Sequence, residues 1–187
     1  MTKYGMAINL DRCIGCHTCA NACKMQNNVP SGMLWNRVLT EGSDVIYGAV
    51  GDYPNLSRTF VPVACQHCEN PACQRVCPTG ATHISPDGIV LVDHGRCIGC
   101  KYCMAACPYQ VRTFNEEEGI ADKCRFCTVS ASDGGTKMCT CVEACLTGAR
   151  IFGDLDDPDS EISKQVKELN AQPIKGDLTD VKVFYVR

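Results

Sequence analysis

Residues 13–23 read CIGCHTCANAC, and residues 97–107 return to the same spacing as CIGCKYCMAAC. Both are C-x2-C-x2-C-x3-C. Three thiolates at three-residue steps can wrap three irons of a cubane, while the fourth is carried off to a neighbouring one. The repeat is therefore what a pair of 4Fe-4S clusters requires, each taking three ligands from one group and one from its partner group. Gly15 and Gly99 stand at matching places, where a residue without Cβ lets the backbone turn sharply and approach inorganic sulfide. An ordinary loop glycine reads equally well there.

Working outward, the 187 residues hold seventeen cysteines, and sixteen of them fall into four groups. These are Cys13, Cys16, Cys19 and Cys23; Cys65, Cys68, Cys73 and Cys77; Cys97, Cys100, Cys103 and Cys107; and Cys124, Cys127, Cys141 and Cys145. A second repeat aligns the less regular groups: CQRVCPTGA at 73–81 matches CVEACLTGA at 141–149. By that match Cys141 is the third ligand of the last group, and Cys139, opposite Pro71, is left over as a buried or loose thiol. The match also exposes a departure, because Leu146 stands where Pro78 and Pro108 follow their cysteines. Losing that proline is expected to loosen the turn without removing a ligand.

Other uses of cysteine fit less well. A disulfide framework belongs to short secreted chains, and here the count is odd and MTKYGMAINLDRC has no apolar run fit for a signal peptide. Zinc sites use two CxxC pairs and have no need of a third thiol at the next step. The C-x3-C-x2-C order of radical S-adenosylmethionine proteins is absent from every group. A formal net charge of -3 gives no basic field for nucleic acid or anionic lipid. No stretch is long and apolar enough to span a bilayer, so a soluble subunit without direct membrane insertion is expected.

His17 and His67 lie inside cysteine groups, but sixteen thiolates already fill four clusters, so both read as packing beside ligands. Arg12, Lys24, Arg75, Arg96, Lys101, Lys123 and Arg125 flank ligands; they raise cluster potentials, or form a solvated face or a partner contact. Strands are predicted at Ala7 to Leu10, Phe60 to Ala64 and Ile89 to Asp93, the last after the turn Pro86-Asp87-Gly88. Short helices are predicted at Pro71 to Val76 and Met104 to Ala106, giving a strand, cluster loop and helix repeated four times. Residues 31–59 carry no cysteine and hold Trp35, Tyr47 and Tyr53; they read as an insertion with Trp35 in the core. Past Cys145 the pattern predicts a helix capped by Asp157 with Pro158 first, Ile162, Val166 and Leu169 on one face, and Pro173 closing it. A last strand follows at Val181 to Val186.

These groups in this order, with CENPACQRVCPTGA at 68–81, ACPYQVRTF at 106–114, DKCRFC at 122–127 and ACLTGARIFGDLDDPDSEI at 144–162, resemble the four-cluster ferredoxin subunit of dimethyl sulfoxide reductase family molybdoenzymes. The resemblance covers nearly the whole chain and is close to subunits of polysulfide, thiosulfate and arsenate reductases and of pyrogallol or catechol hydroxyl-transferring enzymes. It implies an α+β fold of two nested bacterial-ferredoxin-like units: an outer one from 1–30 and 120–153, an inner one from 60–119, the insertion 31–59, and a C-terminal extension 154–187. It also implies crossed ligation. One cluster would take Cys13, Cys16 and Cys19 with Cys145, and another Cys124, Cys127 and Cys141 with Cys23. The inner pair would take Cys65, Cys68 and Cys73 with Cys107, and Cys97, Cys100 and Cys103 with Cys77. Some relatives replace the second cysteine of the third group and hold a 3Fe-4S cluster; Cys100 is present, so four 4Fe-4S clusters are expected.

The function so implied is electron transfer for anaerobic respiration within an oxidoreductase complex, with no catalytic residue in this chain. The partners would be a large molybdenum or tungsten bis-pterin catalytic subunit and, in many complexes, an integral membrane anchor that handles quinol. The alternative is an electron-transfer subunit of a hydrogenase, formate dehydrogenase or aldehyde oxidoreductase complex. A colourless protein without acid-labile sulfide would instead mark a zinc or disulfide-stabilised interaction protein. Compartment stays open: cytoplasmic residence fits, and so does co-export of the folded subunit on a partner's twin-arginine signal.

Overall fold

The computed structural model describes residues 3–41, 50–127, 138–174 and 178–187. Tyr47 lies outside them. The chain runs β1 (Tyr4–Asn9), α1 (Thr18–Gln26), β2 (Asn36–Thr40), β3 (Phe60–Ala64), α2 (Ala72–Arg75), β4 (Thr82–Ile84) and β5 (Val90–Val92). It continues through α3 (Tyr102–Ala105), β6 (Thr113–Asn115), β7 (Ile120–Asp122), α4 (Thr140–Glu143), β8 (Arg150–Asp154), α5 (Glu161–Glu168) and β9 (Val183–Val186). The result is α+β, built of short helices and small sheets.

Each cysteine group sits in the same local unit. β1, β3, β5 and β7 lead into the four groups, and α1, α2, α3 and α4 carry the third cysteine of each. The turns repeat as well: Gly15 and Gly99 both have φ +68°, and His17 and Lys101 follow at φ 59° and 60° as the residues before α1 and α3. A Cβ on Gly99 would come within 2.4 Å of the Gly119 carbonyl oxygen, and one on Gly15 would strike the Phe60 ring at 2.5 Å. These two glycines thus serve a sharp turn and a close approach, which only a residue without Cβ allows.

The sheets tie distant parts of the chain together. β1 pairs antiparallel with β8, Tyr4 facing Asp154, and parallel with β9, Met6 facing Val183. The pairing with β8 explains why β1 begins at Tyr4 rather than at Ala7: Tyr4 and Gly5 face Asp154 and Gly153, while β9 joins only from Met6 onward. β2, within 31–59, pairs antiparallel with β3 over Asn36 to Thr40, so this part of the stretch belongs to the body of the protein. Trp35 is buried with Cys23, Val29 and Met33, as expected of a core residue.

The C-terminal helix starts later than Asp157. Ser160 caps it, its Oγ accepting from Ser163 N at 3.2 Å, while Asp157 Oδ1 is taken by Asp159 N in the turn before. Serine at that place satisfies an otherwise unpaired helical N–H, which moves the boundary past Pro158. Of the expected apolar face, Ile162 is buried, Val166 half-buried and Leu169 exposed. Ile162 packs at Gly153 of β8, where an added Cβ would lie 3.0 Å from its Cγ2. Ile162→Ala is expected to cost about 2–5 kcal/mol, read as an earlier cooperative transition on heating.

Candidate metal centres

The first quartet gathers residues from both ends of the chain. Cys13, Cys16 and Cys19, from the loop after β1 and from α1, line one cavity together with Cys145, which follows α4. A second cavity is lined by Cys23, Cys124, Cys127 and Cys141, with Cys65 and Cys139 on the same wall. A third brings Cys77 to Cys97, Cys100 and Cys103. Of the remaining four, Cys65 and Cys73 are the charged neighbours felt by Cys68, and Cys107 packs against the same core as Cys65 and Cys68.

Electrostatics divides the thiols. Burial pushes Cys23 up to about 12 and Cys68 up to about 11, and holds Cys124 well above the ordinary thiol value. Hydrogen bonds work the other way. Thr179 Oγ1 donates to Cys68 Sγ at 2.9 Å and partly offsets its burial. At Cys77, burial raises the pKa, but the Thr82 amide and the Thr79 hydroxyl outweigh it and bring the thiol to about 7. The matching turn at Cys145 has the Ala149 amide at 3.3 Å and the Thr147 hydroxyl at 3.8 Å. Leu146 therefore does not loosen that turn: Gly148 N reaches Cys145 O at 3.1 Å, as Gly80 N reaches Cys77 O at 3.4 Å.

Cys139 is buried at the N-terminal end of α4. It keeps its proton, because hydrogen bonding to Cys127 and then Cys141 raises its own pKa far above the usual range. The same contacts hold Cys127 at about 6 and Cys141 at about 7. Its Sγ also lies 3.5 Å from Phe126 O. The leftover cysteine of the sequence is thus a buried, protonated thiol beside Cys127 and Cys141, with Phe126 O within reach of its S–H.

Three cations that matter were missed or misread from sequence. Arg150, 3% exposed, donates from Nη2 to Cys19 Sγ at 3.5 Å and to Asn36 Oδ1 at 2.9 Å, and from Nη1 to Cys141 Sγ at 3.7 Å. Arg112, 6% exposed, lines the third cavity and has its charge balanced by Cys73, Cys103 and Cys65. Both stand five residues after the last cysteine of a group, a regularity of the sequence that could have flagged them. Lys123 is no part of a solvated face. Its Nζ is buried on Val90 O and on Cys124 O, the latter at 2.8 Å. Arg12, Arg75, Arg96 and Lys101 do stand at the surface.

His67 is fully buried, stacked on Phe126 with ring centroids 3.7 Å apart, and burial keeps it neutral. His17 is half-buried. Thr179 carried no signal in the sequence, since it belongs to a cysteine-free tail that only folding returns to Cys68.

Whether these cavities suit an anionic sulfide-bearing group turns on what else lines them. In the second, Trp35 Nε1 and Asn36 Nδ2 are buried without an acceptor, and in the third both Arg112 terminal nitrogens are. The orphaned groups are all donors, which inorganic sulfide and thiolate sulfur accept. Donor set and thiols fit a 4Fe-4S cluster.

The structure thus brings cysteines from separate groups to shared cavities, as in a protein of ferredoxin type. A 4Fe-4S dicluster domain family matches residues 56–155, and a 4Fe-4S binding domain family matches residues 4–25. The chain is 45% identical to a Halobacterium salinarum protein provisionally named as an iron-sulfur subunit of dimethyl sulfoxide reductase, over 100% of this chain and 79% of that one. It is 39% identical to a sulfite dehydrogenase subunit of Allochromatium vinosum, over 90% of this chain and 75% of the relative. It is 44% identical to the thiosulfate reductase electron transfer subunit of Salmonella typhi, over 88% and 81%. The chain belongs to the family of ferredoxin-type iron-sulfur subunits of dimethyl sulfoxide reductase family enzymes. It is an electron-transfer subunit rather than a catalytic one. Among the described residues no helix is long and apolar enough to cross a membrane.

Proposed function

We propose that this subunit carries four 4Fe-4S clusters in crossed ligation and wires a molybdenum or tungsten bis-pterin catalytic subunit to a quinol-linked membrane anchor or a soluble redox partner. The observation that carries this reading is the thiol gathering across the chain, Cys145 with Cys13, Cys16 and Cys19, and Cys23 with Cys124, Cys127 and Cys141. Cys77 with Cys97, Cys100 and Cys103 supports the same pattern, leaving Cys65, Cys68, Cys73 and Cys107 as the fourth set. The pairing of β1 with β8 supports nesting, with residues 60–119 as an inner unit inside 1–30 and 120–153, 31–59 as the insertion, and 154–187 as the extension.

A bound cluster supplies a one-electron carrier, and the chain's own residues fix where each carrier sits and how readily it is reduced. Shared walls support one order along the wire. Arg150 lines both outer cavities, Cys65 lines the second of them, and Arg112 joins Cys65 and Cys73 to the cavity of Cys103. Cys16 and Cys100, in the first and last sets, are the two exposed cysteines, which supports electron entry and exit at those ends.

Anaerobic purification of the native complex, with iron, sulfide and molybdenum or tungsten analysis, tests the reading. About sixteen irons in this subunit and a coeluting bis-pterin protein are the expected result. Zinc in place of iron, or clusters beside a nickel enzyme, would defeat it. Cys139→Ala is expected to lower the midpoint potential of the cluster at Cys127 and Cys141 by an amount on the order of 1 kcal/mol, as one donor to its thiolates is lost. Cys139→Ser, which keeps a donor, should retain the potential in the same redox titration.

A further inference from the structure

Arg112 and Arg150 present an energetic problem that the cluster reading resolves. Taking a guanidinium out of water costs several kcal/mol unless an anion faces it. Among the described residues neither arginine makes an ion pair with a carboxylate, although both are almost wholly buried. The anions that face them are ligand thiolates, and in each case these belong to two different quartets. Arg150 donates to Cys19 of one outer set at 3.5 Å and to Cys141 of the other at 3.7 Å, with Asn36 Oδ1 fixing the fork at 2.9 Å. Arg112 lines the cavity of Cys103 with both terminal nitrogens buried and without a protein acceptor, and the charges of Cys73 and Cys65 of one inner set and Cys103 of the other bear on it.

We propose that each of these arginines is shared between the two clusters of one pair and sets both of their potentials together, Arg150 for the outer pair and Arg112 for the inner pair. The proposal rests on the ligand grouping given above. Reduction adds one electron to a cluster and makes or breaks no bond, so the protein acts on it through charge and hydrogen bonds alone. A cation fixed between two clusters stabilises the extra negative charge on either one, and it lessens the repulsion met by a second electron entering the pair. The planar fork favours the sharing, because one guanidinium donates to two sulfurs from separate, rigidly spaced nitrogens, whereas a lysine brings all its donors to a single atom.

Arg150→Met and Arg112→Met in the complete complex, titrated anaerobically with cluster signals followed by electron paramagnetic resonance, provide the test. Arg150→Met should shift two of the four midpoints to more negative values, each by about tenfold in the ratio of reduced to oxidised cluster at fixed poise, or about 59 mV for one electron. Arg112→Met should shift the other two and leave the first pair in place. A single midpoint moving, all four moving, or none moving in a variant that keeps its iron would overturn the sharing. If a methionine variant loses a cluster, the lysine variant decides: one midpoint of the pair is expected to fall while the other holds, and two unmoved midpoints reject the proposal. An iron content well below sixteen in the unmodified subunit would instead overturn the cluster reading underneath it.

Discussion

Cys145→Ala is expected to destroy or convert the cluster proposed at Cys13, Cys16 and Cys19, while the cluster at Cys124, Cys127 and Cys141, its own neighbours in sequence, survives. The reason is spatial. Cys145 lines a cavity with the first group, whereas the wall beside Cys124, Cys127 and Cys141 is completed by Cys23 from α1. Cys145→Ala and Cys16→Ala should therefore erase the same reduced-cluster signal, and Cys23→Ala and Cys141→Ala another one. Each variant is expected to lose roughly a quarter of the iron if the affected cluster is lost outright, or to show a 3Fe-4S signal if one iron alone leaves. Pairing of the signals by sequence group, with Cys145→Ala matching Cys141→Ala, would refute crossed ligation.

Removing the iron should have a still larger effect on the whole molecule. The core includes Cys19, Cys65, Cys139 and Cys141, with Cys68, Cys107, Cys124 and Cys127 packed against it, so apolar packing is continuous with the thiol sets. Among the described residues three of the four sheets have only two strands, and such pairs do not stand alone in water. Without clusters, Arg112 and Arg150 become buried cations with no counter-charge, and an uncompensated buried charge costs about 3–5 kcal/mol each. Two such penalties are comparable with a typical total stability of about 5–15 kcal/mol. Chelation under oxidising conditions should thus unfold the chain, with loss of far-ultraviolet circular dichroism and rapid proteolysis in step with bleaching. An iron-free protein that kept its dichroism and its resistance to protease would show that the polypeptide core suffices by itself.

The division between what could be read and what could not follows the range of the interactions. Ligand identity is a local matter, because the steps from Cys13 to Cys23 and from Cys97 to Cys107 lie within one turn and helix, where spacing fixes reach. The strand leading into each group and the helix leaving it were legible for the same reason, with boundaries off by a few residues. The start of α5 was misplaced because Asp157 and Ser160 compete for one cap and only the turn around Asp159 settles it. Extension of β1 to Tyr4 came from pairing with β8, which no local pattern encodes.

The chain by itself determined that the chemistry is iron-sulfur, and its spacing alone sets the sixteen thiols proposed as ligands apart from Cys139, since these depend on residue type and short spacing. Tertiary structure alone decided what lies between the sets. It sank Arg112 and Arg150 among thiols and Lys123 onto the Val90 and Cys124 carbonyls, returned Thr179 of the tail to Cys68, and set the leftover Cys139 beside Cys127 and Cys141. Those contacts join residues far apart in sequence, and the energy of a buried charge or a hydrogen bond depends on what surrounds it in space, which composition and spacing do not specify.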